Sequence, residues 1–151
     1  MTLMIREAVP DDLAEVHVMI GLLARHHGED VKISAETLQD RIFEKGQGRI
    51  LVAAEEEGLV GYALILARPN LVTGGAGYDI NHLFVVEWRR RAGIGRALIA
   101  AARDICRSAG AEGLMIGTHW ANLGAQSAYR DMGLEEVQYG PRFKIELGVS
   151  A

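Results

Sequence analysis

Glu87-Trp88-Arg89-Arg90-Arg91-Ala92-Gly93-Ile94-Gly95-Arg96 is the stretch on which the reading of this chain turns. Before it, residues 78–86 form an apolar run of strand length. After it, Ile94, Leu98, Ala102, Ile105 and Cys106 recur on one face of a helix expected over 93–109, which Gly110 ends. The stretch is therefore a strand-to-helix turn, rich in arginine and glycine. The first turn of a helix carries unpaired backbone N–H groups and a partial positive charge. Glycines let that backbone approach an anion closely. Arginines before and inside the turn add charge-assisted donors. The chemistry that fits is a cradle for a pyrophosphate. A dinucleotide fingerprint needs GxGxxG, and Leu98 takes the third glycine's place. A Walker loop needs GxxxxGK[ST], which nothing in the sequence matches.

Working outward, a strand is expected over 3–7. Pro10-Asp11-Asp12 is a strong helix start, with a proline near the first turn and carboxylates at the positive end of the dipole. Leu13, Val16, Ile20 and Leu23 continue it at helical spacing, and Arg25-His26-His27-Gly28 ends it. Ser34 can cap a second helix with Leu38 and Ile42 inside. Strands over 50–54 and 60–67 flank the polar turn Glu56-Glu57-Gly58, which makes a hairpin. A glycine-containing loop over 69–77 leads to the strand before the turn. Beyond Gly110, a strand over 114–117, a helix over 122–132 stopped by Gly133, and a final strand pair over 137–139 and 142–147 are expected. The order is β-α-α-β-β-β-α-β-α-β-β, an α+β or mixed α/β class.

Bulk properties set limits. The 151 residues suit a single domain over 1–151, large enough to bury its own core. The net charge of −4 argues against non-specific nucleic-acid binding. Cys106 is the only cysteine, so no intrachain disulfide or CxxC zinc site exists, and its place in an apolar pattern is that of a small core residue. The start lacks an apolar run of signal-peptide length, and no segment approaches the ~18 apolar residues of a membrane span. The expected compartment is the cytoplasm.

Arg90, Gly93 and Gly95 spell R-x-x-G-x-G, which resembles the coenzyme-A signature of the GCN5-related N-acetyltransferases. A second stretch, Asn122-Leu123-Gly124-Ala125-Gln126-Ser127-Ala128-Tyr129 with Gly133 following, resembles that family's N-x-x-A-x-x-x-Y-x-x-x-G. Asn122 and Tyr129, seven apart, share one helix face. Ile5-Arg6-Glu7-Ala8 through Asp12 resembles the family's opening, and Leu83-Phe84-Val85 resembles the segment that meets the pantetheine. Glu87 stands where the family often has proline. Within the family the chain looks most similar to the spermidine/spermine and thialysine branch, on Arg142-Phe143-Lys144-Ile145 and Leu23-Ala24-Arg25-His26-His27.

The resemblance implies a mostly antiparallel, twisted sheet, splayed at the coenzyme site and flanked by helices. It implies an acetyl-CoA-dependent N-acetyltransferase acting on a small amine, with no metal. Arg90, Arg91, Ala92, Gly93, Ile94, Gly95 and Arg96 would hold the pyrophosphate. Leu83, Phe84 and Val85 would meet the pantetheine and polarise the thioester carbonyl. Asn122, Gly124 and Ala125 would add coenzyme contacts. Tyr129 would protonate the departing thiolate as a general acid. Candidates for the base are His82, His119, Asp79, Glu87 and His26. His82 is either that base or a packed strand residue. His26, His27, Asn81 and His119 are expected to line the acceptor pocket. The other readings are a protein or peptide N-acetyltransferase and a non-catalytic coenzyme-A-binding regulatory domain. A homodimer is expected by analogy; no membrane or nucleic-acid partner is.

Overall fold

The computed structural model describes residues 2–138 and 140–148, which fall into two compact units, Met1–Gly117 and Thr118–Ala151. The first opens with β1 (Met4–Glu7), then α1 (Leu13–His26) and a short α2 (Ala35–Gln39). β2 (Arg49–Glu55), β3 (Gly58–Pro69) and β4 (Ala76–Val85) follow, then α3 (Ile94–Ser108) and β5 (Gly113–Ile116). The strands lie in sequence order in one sheet, antiparallel except for the parallel pair β4–β5. This is the mostly antiparallel sheet that the resemblance implies, in the mixed class that the order of elements gives.

α1 begins where its sequence says it should. Asp12 accepts the Val9 N–H at 2.8 Å and takes both arms of Arg6, at 2.6 and 3.0 Å. One carboxylate thus closes the 3-10 turn Pro10–Asp12 that leads into α1 and ties it to β1. Ser34 caps α2 by accepting from Thr37 N–H at 3.1 Å. The sheet buries side chains on both faces, as strands between two helical layers must. Leu13, Val16, Met19 and Ile20 of α1 pack with Ile50, Val52, Tyr62 and Phe84 on one face. On the other, α3 touches all five strands and sinks Ile94, Leu98, Ile99, Ala102 and Cys106. Cys106 is a buried core thiol whose pKa burial pushes up, as expected of a small core residue.

Two features of β4 shape the site. Its register on β3 slips between Leu64 and Ile65, which leaves Asn81 as an extra residue between Ile80 and His82. Its pairing with β5 covers only Gly77 to Ile80. Beyond Ile80 the strand keeps β3 on one side and has no strand on the other among the described residues. This is the splay that the resemblance implies.

The second unit contains α4 (Leu123–Asp131). The expected final strand pair over 137–139 and 142–147 does not form among the described residues of those segments; Tyr139 lies outside them. The alternating Phe143, Ile145 and Leu147 carry a strand's pattern, yet they are 94%, 82% and 90% exposed. A strand exists only with a ladder partner, and these residues have none within the described chain. Pro141 also removes a donor between the two segments.

Candidate functional site

The turn after β4 is built by local constraints that the sequence carries. Residues Glu87–Arg89 form one 3-10 turn. Arg89 then reaches the far hairpin and holds Glu55, at the end of β2, with two bonds of 2.7 and 3.0 Å. The Glu55 side chain is only 5% exposed, so this ion pair pins the turn to the sheet. Arg90 donates from Nε to the Val85 carbonyl at 2.9 Å and lies over the Phe84 ring, 5.6 Å from its centre. Arg89, outside the set expected to hold the pyrophosphate, and Arg90, within it, therefore brace the turn itself. Arg91 and Arg96 are exposed and form no ion pair among the described residues.

The chain next makes two left-handed steps, Arg91 at φ +64° and Gly93 at φ +82°. Ile94, 1% exposed, anchors the start of α3 in the core. The first helical bond runs from Ala97 N–H to Gly93 O at 3.0 Å. The amides of Ile94, Gly95 and Arg96 precede it and have no intrahelical acceptor. A Cβ placed on Gly93 or on Gly95 would meet nothing within 4 Å, so the turn is open on its glycine side. Ala92 is exposed beside them. A concentration of unpaired amides at the positive end of a 15-residue helix is an anion site by its physics.

The upstream strand supplies a second set of unpaired groups. Val86 N–H bonds Val60 O at 2.9 Å, which makes Phe84–Tyr62 the next hydrogen-bonded pair of the ladder. The amides of Leu83 and Val85 then point away from β3, toward the side that β5 has left. The Arg90 bond to Val85 O marks the same side. Phe84 is different: its ring is buried in the core, and its backbone faces β3.

The histidines gather at the other end of this strand segment. His82 is half-buried, and its Nδ1 lies 3.0 Å from the hydroxyl of Tyr62. Their rings meet edge to face at 5.9 Å. Burial, with a smaller contribution from His27, holds the His82 pKa below its ordinary value. His26 and His27 are exposed at the end of α1, their rings 5.6 Å apart. Asn81 is exposed at the bulge, and Asp79 is half-buried within the paired part of β4. Glu87 is exposed at the first position of its turn.

In the second unit, Asn122 caps α4 by accepting from Ala125 N–H at 3.0 Å, and Gly124 is exposed in the first turn. His119 accepts from Ala121 N–H at 3.0 Å and is exposed. Tyr129 is half-buried, and burial raises its pKa above the ordinary phenol value. Two partners escaped the sequence reading: Glu55, which holds Arg89, and Tyr62, which holds His82. Tyr62 sits in an apolar strand run, where a tyrosine always raises the question of what its hydroxyl bonds. Neither partner is near its mate in the chain. Among the described residues, no three His, Cys, Asp or Glu side chains converge as a metal site. Nor is any helix long and apolar enough to cross a membrane.

Comparison with known proteins agrees with this geometry. The sequence pattern of the acetyltransferase (GNAT) family matches residues 17–134. An "uncharacterized N-acetyltransferase YhfO" of Bacillus subtilis (strain 168) is 29% identical over 133 residues, 87% of this chain and 89% of its own. An "aminoglycoside N(6')-acetyltransferase type 1" of Stenotrophomonas maltophilia is 28% identical over 152 residues, 97% of this chain and 95% of its own. A solved aminoglycoside acetyltransferase, meta-AAC0020, from an uncultured soil metagenomic sample and in complex with sisomicin, superposes with a TM-score of 0.80 at 21% identity. It covers 95% of this chain and 97% of its own, a likeness of fold.

Proposed function

The chain belongs to the acetyltransferase (GNAT) family and is an acetyltransferase; we propose that its donor is acetyl-CoA and its acceptor an amine of a small molecule. The observation that carries this reading is the unobstructed first turn of α3. Its amides, opened by Gly93 and Gly95, fit a diphosphate, and Arg91 and Arg96 add charge beside it. Residues 83–85 fit an extended amide-bearing arm, since the Leu83 and Val85 amides have no strand beside them among the described residues. Phe84 supports them from the core.

Acetyl-CoA supplies an activated acyl group whose carbonyl carbon the amine nitrogen bonds as the C–S bond breaks. The Leu83 or Val85 N–H donates to the acyl oxygen as negative charge grows there. Tyr129 gives its phenolic proton to the departing sulfur and is reprotonated by solvent. Its raised pKa keeps the phenol loaded across the neutral range. The proton lost by the attacking nitrogen passes to water. His26, His27, Asn81 and His82 serve the acceptor side. A relative named for an aminoglycoside amine supports hydroxylated amines as the first acceptors to try. The polyamine likeness in the sequence keeps spermidine beside them.

The test is an amine panel with acetyl-CoA, read by release of free thiol. Sisomicin, spermidine, thialysine, free amino acids and an N-terminal peptide belong in it. At least one small amine should be acetylated. Acetylation of the peptide alone would move the acceptor to proteins. In Tyr129→Phe, coenzyme affinity by calorimetry should hold while turnover falls about a hundredfold. Equal turnover would remove Tyr129 from the mechanism. Arg96→Glu should weaken coenzyme binding about tenfold, the cost of a lost charge-assisted contact.

A further inference from the structure

His82 and Tyr62 form a pair whose chemistry can be worked out from burial alone. Register places Leu64 opposite His82 and Tyr62 opposite Phe84, so Tyr62 and His82 are diagonal neighbours on one face of the sheet. Tyr62 is 0% exposed. Its hydroxyl has a single protein partner among the described residues, Nδ1 of His82 at 3.0 Å. A phenol in the core must donate its hydrogen, because an unmade donor there carries its whole desolvation cost. Nδ1 is the acceptor within reach. Were Nδ1 protonated instead, it would donate to the phenol oxygen, and the phenol hydrogen would be stranded.

Tyr62 has no competing state. Burial raises its pKa far above the ordinary phenol value, so it does not become the phenolate that would accept from Nδ1–H. The ring of His82 is held neutral by the same burial. A neutral imidazole whose Nδ1 accepts carries its proton on Nε2. Nε2 has no protein partner among the described residues. Yet no buried side-chain nitrogen or oxygen of these residues is unpartnered. Nε2 is therefore reachable from solvent.

We infer that Tyr62 fixes His82 as its Nε2–H tautomer, so that His82 presents a hydrogen-bond donor to the acceptor substrate and does not take the amine's proton. Tyr62 is then a positioning residue, acting through the ring it orients. A fixed donor selects an amine that carries an oxygen near the reacting nitrogen, such as a hydroxylated amine, over a bare polyamine. This substrate preference rests on the proposed acetyl transfer; the tautomer does not.

The ring itself gives the direct test. Long-range proton–nitrogen spectra of the whole protein, labelled at histidine and held where imidazole is neutral, distinguish the two tautomers. His82, assigned by its loss in His82→Gln, should show protonated Nε2 and bare Nδ1. Tyr62→Phe should turn that pattern into a mixture. A protonated Nδ1 in the native protein would overturn the inference. Kinetics supply the second arm, with sisomicin and spermidine as acceptors. Glutamine places an amide donor near the Nε2 position and cannot act as a base near neutral pH. His82→Gln should keep sisomicin turnover within about threefold, while His82→Leu raises its KM about tenfold and lowers the preference for sisomicin over spermidine in kcat/KM by a similar factor. Gln as damaging as Leu would restore the base and sink the donor. Absence of transfer to every amine would count against the proposed function, and the ring spectrum would still decide the tautomer.

Discussion

Asp12 is a buried charged residue of the described core, and it performs two tasks at once. It closes the start of α1 and pairs with Arg6. Bonding to Arg6 and to the Val9 N–H holds its carboxyl below the ordinary carboxylate range, against the opposing effect of burial. A depressed carboxyl adds stability that is complete above its unfolded value, near 4, and disappears as pH falls through the lower folded value. Asp12→Asn should therefore cost about 2 kcal/mol at neutral pH, as for hydrogen bonds to a charged group. Melting curves of the two proteins should converge as the pH is lowered below about 4. Tyr129 titrates in the opposite sense. Its raised pKa places loss of the phenolic proton above the ordinary value near 10. Turnover should thus show no alkaline fall from this group below about pH 10, a limb that a pH profile of kcat reads directly.

At the scale of elements, the strand–turn–helix of β4 and α3 is the piece most completely written in local sequence. The apolar run, the arginines, the two glycines and the helical stripe each dictate backbone within a few residues of themselves. Gly93 sits at φ +82°, where a side chain costs about 1 kcal/mol. Gly93→Ala should lower the melting temperature by roughly 3 °C in a chain of this length and weaken coenzyme binding as well. What local sequence does not contain is the partner across the fold. Arg89 reads as one more cation of the turn until Glu55, 34 positions earlier, is seen to hold it. Charge alone does not say which arginine is already engaged. Glu55→Gln should loosen the turn and reduce coenzyme affinity without touching a residue proposed to bind it, an outcome calorimetry can read. The final strand pair fails for a related reason. Alternation in Phe143, Ile145 and Leu147 states a preference, but pairing is a property of two segments, and the second is not beside them in the described chain.

At the scale of the whole molecule, the edge of β4 that has no strand beside it past Ile80, among the described residues, is the feature with the widest reach. Main-chain groups left over on a strand are sticky toward any other extended peptide, including a misfolded copy of the same chain. A small carrier lying along residues 83–85 would act as a plug as well as a reactant. The protein should then cloud more slowly on storage with coenzyme A than without it, beyond what its shift in melting temperature explains. Light scattering of matched samples, held at equal distance below their respective melting points, would measure that protection. For an enzyme built this way, running short of its carrier threatens solubility as well as output.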